Sequence, residues 1–383
     1  MATWLWPARA PTVPAAGFVP SRALQKLLAV VVALSAIKTP LDVPLYFNAG
    51  LLLLGLTALV VVQSLQRIFL WLLALIAIGL LGALAADSLA SSGPRLVQLL
   101  LVVAACSLIA RIEPELLARY LGLLLPVMVL VALVEAFWPE DLFHSRRIAG
   151  YPIHRQGGLH GEPNYSAMLY GTIGVILAQH RPRVLALLPF LLAVPMLSRG
   201  VFAAAAAWLG CLALGRRGTA LALALIVLLC LQPLLVLAFD ATLDYDTRVA
   251  LTHASNGRYG LWLGYAEMGL ASPFGAGYFE GERALAAYSH YLPAGYPVRY
   301  AHSVFLQVFG EFGWLGYAAF AGFLIHLALI AARAAPHTLP VLVFLLAGYA
   351  LVNGLSDWAF WVPIGYLLAS AWRAEPDAGR AVR

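Results

Sequence analysis

Ala301–Gly316, AHSVFLQVFGEFGWLG, is the stretch on which the reading of this chain turns. A polar loop ends at His302 and Ser303, and from there an apolar run continues to Ile330. A helix that crosses a bilayer needs roughly 20 mostly apolar residues. This run is long enough to span, and His302 opens the helix rather than sitting within it. An imidazole on the first turn of a spanning helix lies at interfacial depth, where it meets water-soluble and lipid-borne groups alike. Two readings of it stand: an interfacial anchor or cap, and a reactive group at a membrane mouth.

The rest of the chain repeats this alternation. Of its 383 residues 62% are hydrophobic and only 11% charged, with a mean hydropathy of +0.85. Soluble domains carry about 25% charged residues. Apolar runs fall near 23–37, 46–63, 68–86, 96–110, 120–137, 165–178, 184–197, 200–215, 219–239, 302–330, 338–355 and 358–372. The sequence therefore predicts an all-α, polytopic integral membrane protein with about 12 transmembrane helices, a single membrane domain over residues 1–383. With both termini in the cytoplasm, the inner breaks are QSLQR, RIEPELLAR, QHRPR, LGRRG and AARAAPH. Each holds arginine, as the positive-inside rule requires. The N-terminus, MATWLWPARAPTVPAAGFVPSR, lacks a short apolar core followed by a small-residue cleavage site, so the first span is expected to be retained.

The formal charge of +6 and isoelectric point near 9.3, spread over membrane loops, fit anionic lipid or a phosphorylated substrate rather than nucleic acid. Cys106, Cys211 and Cys230 all lie within apolar runs, and neither a disulfide nor a metal site is expected of them.

Two longer outer loops, 138–164 and 240–300, hold positive charge on the side where the rule disfavours it. The first contains Arg146, Arg147 and Arg155 with His144, His154 and His160, then Glu162, Pro163 and Asn164, the last placed as an N-cap. Its arginines face either headgroups or a phosphate, and no tight acid/His cluster marks a metal site. Arg199 stands in the short turn LSRG between two apolar runs. A charge at that depth needs an anionic partner or must snorkel to the interface. In the second loop Arg258 opens a segment with Leu261, Trp262, Tyr265 and Met268 at helical spacing, an expected amphipathic helix at the interface. The glycine-rich FGAGYF that follows is expected to leave backbone amides free beside Arg258 as a phosphate cradle. The alternative pairs Arg258 with Asp244 or Asp246. Glu311, about 13 Å along an ideal helix from His302 and half a turn round, reads as a structural buried acid.

The pattern His302-Ser303, nine residues, Gly313, two residues, Gly316 resembles the signature of the O-antigen ligase family, whose relatives include the pilin O-oligosaccharyltransferases and the O-antigen and exopolysaccharide polymerases. GEPNYSA (161–167), LSRG (197–200), SNGRYGLW (255–262) and SPFGAGYF (272–279) resemble the same superfamily, in the same order. The resemblance implies a membrane glycosyltransferase on the outer face of the bacterial inner membrane, taking glycan from undecaprenyl diphosphate to a lipid A-core or glycan acceptor without cofactor or metal. It implies that Arg199 and Arg258 hold the donor diphosphate and that His302 activates the acceptor hydroxyl, with Arg147, Arg155, Asn164 and Glu162 as further substrate-binding candidates. The spacings Arg147 to Gly158 and Arg258 to Gly269 resemble those of the polymerases, which keeps polymerisation on the same carrier as the alternative. A lipid or glycan transporter is disfavoured by the lack of internal repeats and by charge gathered on one face rather than at the midplane.

Overall fold

The computed structural model describes residues 20–37, 54–58, 68–137, 146–147, 154–160, 162–180, 183–288, 290–292, 300–355 and 357–380. It is all-α apart from a two-residue antiparallel pairing, Arg146 opposite Arg155 and Arg147 opposite His154. In chain order the helices are α1 (Arg22–Leu34), α2 (Phe69–Ala85), α3 (Leu89–Ile109), α4 (Pro114–Gly122), α5 (Leu125–Phe137), α6 (Pro163–His180), α7 (Arg183–Ala193), α8 (Arg199–Ala213), α9 (Arg216–Cys230), α10 (Gln232–Asp240), α11 (Tyr245–Ala254), α12 (Arg258–Ala271), α13 (Gly281–Ala284), α14 (Val304–Ala334), α15 (Leu339–Tyr349) and α16 (Trp358–Arg380). Each apolar run of the sequence that lies among the described residues is helical. Most of the run 46–63 and the segment 293–299 lie outside them.

Among the described residues three helical segments are long and apolar enough to cross a membrane: α3, the nearly continuous α4–α5 (Pro114–Phe137), and α14. The run 219–239, read as one span, is instead broken by 60° between α9 and α10 and counts as a fourth only if the bent pair is one span. Pro233, at the start of α10, explains the break. Proline has no N–H to donate back into the preceding turn, and its ring clashes with the carbonyl there. The other apolar runs form shorter helices, among them α2 and α8. Their length alone does not establish about twelve crossings.

The long helix α14 is the axis of the assembly, packed by α12 and α2, while α15 lies against α8 and α9. Gly348 lets α15 approach α6 closely, since a Cβ there would collide with the Met168 side chain. The core is almost wholly apolar. Trp361, Tyr170, Phe305, Phe320 and Phe344 are among its largest fully buried side chains.

Two features differ from expectation. Asp244 caps a helix, α11, that no apolar run announces; its carboxylate accepts from Thr247 N–H at 2.8 Å. And α14 is not continuous: Gly313 has φ 68° and ψ −176° inside it. That conformation costs an L residue roughly 1–3 kcal/mol, and only glycine adopts it without penalty.

Candidate functional site

His302 sits half-buried one residue before the N-cap of α14, with φ 49°. Histidine tolerates the left-handed region better than most residues, yet it holds that conformation at a cost, so the surroundings must impose it. The next residue, Ser303, is held on three sides. The Ser303 N–H donates to Asn353 Oδ1 at 3.0 Å, its hydroxyl donates to Gln232 Oε1 at 2.8 Å, and the same oxygen accepts from Leu306 N–H as the cap of α14. Gln232 Nε2 in turn donates to the Ala350 carbonyl at 3.3 Å.

Arg258 is the first residue of α12, which packs along α14. Burial, and then the Arg258 guanidinium, hold the His302 imidazole down at about 4. The ring is therefore neutral at physiological pH and able to accept a proton, with a cation beside it. An ion pair within this loop is made by Arg248: its Nε lies 3.0 Å from Asp240 Oδ1, and its Nη1 donates to Tyr291 Oη at 2.8 Å. The segment read as an amphipathic interfacial helix carries buried residues on both faces, Tyr259, Leu261, Leu263, Tyr265 and Met268 among them.

The expected phosphate cradle in FGAGYF is corrected by the structure. The break at Gly313 leaves carbonyls of α14 without helical partners, and the loop supplies them. Ala276 N–H donates to Gly310 O and Gly277 N–H to Glu311 O, each at 3.0 Å. The Phe279 and Gly281 N–H groups donate to the Glu311 carboxylate, which also accepts from Gln307 Nε2 at 3.2 Å. Those amides are engaged by protein and not presented to a ligand. Glu311, 2% exposed, is the structural acid that the sequence reading made it.

Arg199 begins α8 with its side chain exposed. Its neighbour Gly200 lies against the 348–352 stretch of chain, a Cβ there meeting Gly348 O, Leu351 and Val352. Asn353, which holds Ser303, is the next residue along. Gly200 and Ser303, the residues that follow Arg199 and His302, thus both meet the stretch at the end of α15 and the α15–α16 connection.

The first loop folds onto the other side of this connection. Arg155 Nε donates to Met196 O at 2.8 Å and its Nη2 to Asn164 Oδ1 at 2.9 Å, so Arg155 braces the turn that carries Arg199. Asn164 is not the N-cap of α6. Pro163 takes the first helical position, and Glu162 caps the helix by accepting from Tyr165 N–H at 3.0 Å, while Asn164 Nδ2 donates to Glu162 Oε1. A carboxylate three residues before the N–H has the geometry that an amide inside the first turn lacks. Arg147 lies on the short strand pairing, and its side chain is outside the described residues.

Four polar residues that the sequence reading passed over shape this region. Gln232 and Asn353 hold Ser303. Glu135, 3% exposed, accepts from Gly157 N–H at 2.7 Å and Gly158 N–H at 2.9 Å and so anchors the first loop. Asp357 accepts from Tyr349 Oη and lies 3.6 Å from His160 Nε2, whose ring stacks on Tyr165. The available signal was a lone polar residue inside or at the end of an apolar run, where it is expensive and needs a named partner. Among the described residues no three His, Cys, Asp or Glu side chains lie close enough together to hold a metal ion.

No curated protein matches the sequence. Residues 168–321, which include Arg199, Arg258 and His302 and leave out the first loop, match the family described as O-Antigen ligase. On that match, and on helices long and apolar enough to cross a bilayer, the chain is a membrane protein whose residues 168–321 are similar to the O-antigen ligase family.

Proposed function

We propose that the chain is a ligase of the bacterial inner membrane, with about twelve transmembrane helices, both termini cytoplasmic and the outer loops 138–164 and 240–300 in the periplasm. It transfers a glycan from undecaprenyl diphosphate to a sugar hydroxyl of lipid A-core. The observation that carries this reading is the neutral imidazole of His302 beside the Arg258 guanidinium, the pair that an acid–base transfer from a diphosphate leaving group requires. The acceptor oxygen forms a bond to the anomeric carbon as the bond from that carbon to the diphosphate oxygen breaks. The hydroxyl proton passes to His302, and the diphosphate leaves on its lipid carrier held by Arg199 and Arg258. Attack opposite the leaving group inverts the anomeric centre. Guanidiniums neutralise the departing charge by forked hydrogen bonds.

An imidazole held near 4 is a weak base in the empty site, and catalytic efficiency is greatest when a base titrates near the working pH. A diphosphate seated on Arg258 offsets the part of that depression that, after burial, comes from the guanidinium. Donor binding thereby makes the base stronger at the moment it is needed.

The arginine-to-glycine spacings that resemble the polymerases have a packing explanation. Gly269 lets α12 meet the Phe309 backbone of α14, and Gly158, at φ 62°, turns the first loop against Met196 and Ser166. Those glycines serve the fold and lend polymerisation no separate support. The test is reconstitution of the purified protein with undecaprenyl-diphosphate oligosaccharide, with and without lipid A-core, products being separated on a gel. Transfer that depends on core is the expected result. A ladder of lengthening glycan without core makes the protein a polymerase, and no product in either lane overturns the glycosyltransferase reading.

A further inference from the structure

We propose that Gln232 and Asn353 are positioning residues for His302, clamping Ser303 so that the preceding residue is held left-handed with its imidazole beside Arg258. The inference rests on the reading of His302 as the base. Its independent support is a closed ring of contacts. Ser303 Oγ donates to Gln232 Oε1, Gln232 Nε2 donates to Ala350 O, the chain runs from Ala350 to Asn353, and Asn353 Oδ1 accepts from Ser303 N–H. Two elements far apart in sequence, the start of α10 and the α15–α16 connection, meet on one residue.

Helix capping alone does not call for this arrangement. Ser303 already caps α14 through Leu306 N–H, and a serine cap needs neither Gln232 nor Asn353. The second feature is the φ of 49° at His302. Conformations of this kind persist where surrounding structure over-determines them, and they gather at functional sites. Ser303 is fully buried and Asn353 is 7% exposed, so removing the asparagine oxygen leaves a buried N–H without its acceptor. The backbone then gains a reason to rotate, and the imidazole moves with it. A displacement of about 1 Å is enough to lower turnover by up to ~10²-fold.

The experiment compares wild-type, Asn353→Ala, Asn353→Asp, Gln232→Leu and His302→Ala proteins in the same reconstitution, with kcat and the donor KM read separately and folding checked by thermal melting in detergent. Asn353→Ala is expected to lower kcat by roughly 10- to 100-fold with the donor KM unchanged, since Arg199 and Arg258 are untouched. Asn353→Asp, which keeps an oxygen for Ser303 N–H, restores most of that loss. Placed in the His302→Ala background, Asn353→Ala has no further effect. Gln232→Leu is expected to behave like Asn353→Ala and serves if the latter does not fold. Full kcat in both Asn353→Ala and Gln232→Leu, with His302→Ala inactive, overturns the clamp and leaves the base in place. Full kcat in His302→Ala overturns the base itself, and with it any need for the clamp.

Discussion

The two ends of the first three turns of α14 both carry a positive φ, for different ends. At its start His302 holds φ 49°, and below it Gly313 holds φ 68°. At Gly313 a positive φ falls on the one residue that adopts it freely, and the 272–281 loop takes up the Gly310 and Glu311 carbonyls and the Glu311 carboxylate. At His302 it falls on a residue with a side chain, the imidazole stays half-buried beside a guanidinium, and the polar groups that surround it serve to hold it there. A left-handed glycine with satisfied partners is a joint of the fold. A left-handed histidine held by its neighbours is, in the proposed function, a working part.

The contrast is sharpest under substitution. Gly313→Ala meets the left-handed penalty and also drives a Cβ into Gly275 N and Ser272 O. A loss of about 3 kcal/mol or more is expected, read as a drop in melting temperature in detergent; an unchanged melting temperature would show that the break is not imposed by glycine. Glu311→Leu leaves the Phe279 and Gly281 N–H groups buried without an acceptor, at about 2 kcal/mol. Its turnover per folded molecule should stay near wild type, and a fall like that of His302→Ala would move Glu311 from the joint to the chemistry.

Smaller effects concern Arg258. Arg258→Lys keeps charge but loses the fork, so donor affinity should fall by roughly fivefold to tenfold, measured by titration of the lipid-linked donor. Unchanged affinity would detach Arg258 from the diphosphate. The pH profile separates charge from geometry. His302 must be neutral to accept a proton, so kcat/KM should hold steady at neutral pH and fall only as pH drops toward about 4. Arg258→Gln removes the charge that, after burial, holds the imidazole down, so the acid limb should move upward, while Arg258→Lys should leave it in place. An acid limb that stays put in Arg258→Gln would separate the two residues.

Much of this was legible in the sequence, for reasons that differ by element. The apolar runs announce the helices because each buries or exposes a whole side to an apolar environment, and 302–330 led directly to His302. Arg258 read correctly as the start of α12, whereas Arg199, read as part of a turn, opens α8, and His302, read as opening its helix, precedes the Ser303 cap of α14. The bend between α9 and α10 was marked by Pro233, and the joint in α14 by Gly313, but both were read as uninterrupted hydrophobicity. The fate of the FGAGYF amides depends on Gly310 and Glu311, and the support of Ser303 comes from Gln232 and Asn353, 71 and 50 residues away. Local pattern carries no record of such partners. Glu162 and Asn164 show the same limit at short range: both are capping residue types, and only the placement of Pro163 at the first turn decides between them.

The most direct test is the single-residue comparison of wild type with His302→Ala, turnover and donor binding being measured on the same folded preparations. Turnover lower by ~10²-fold or more with donor binding retained is the predicted result. Near-normal turnover would contradict the assignment, leaving His302 a strained cap on a membrane helix.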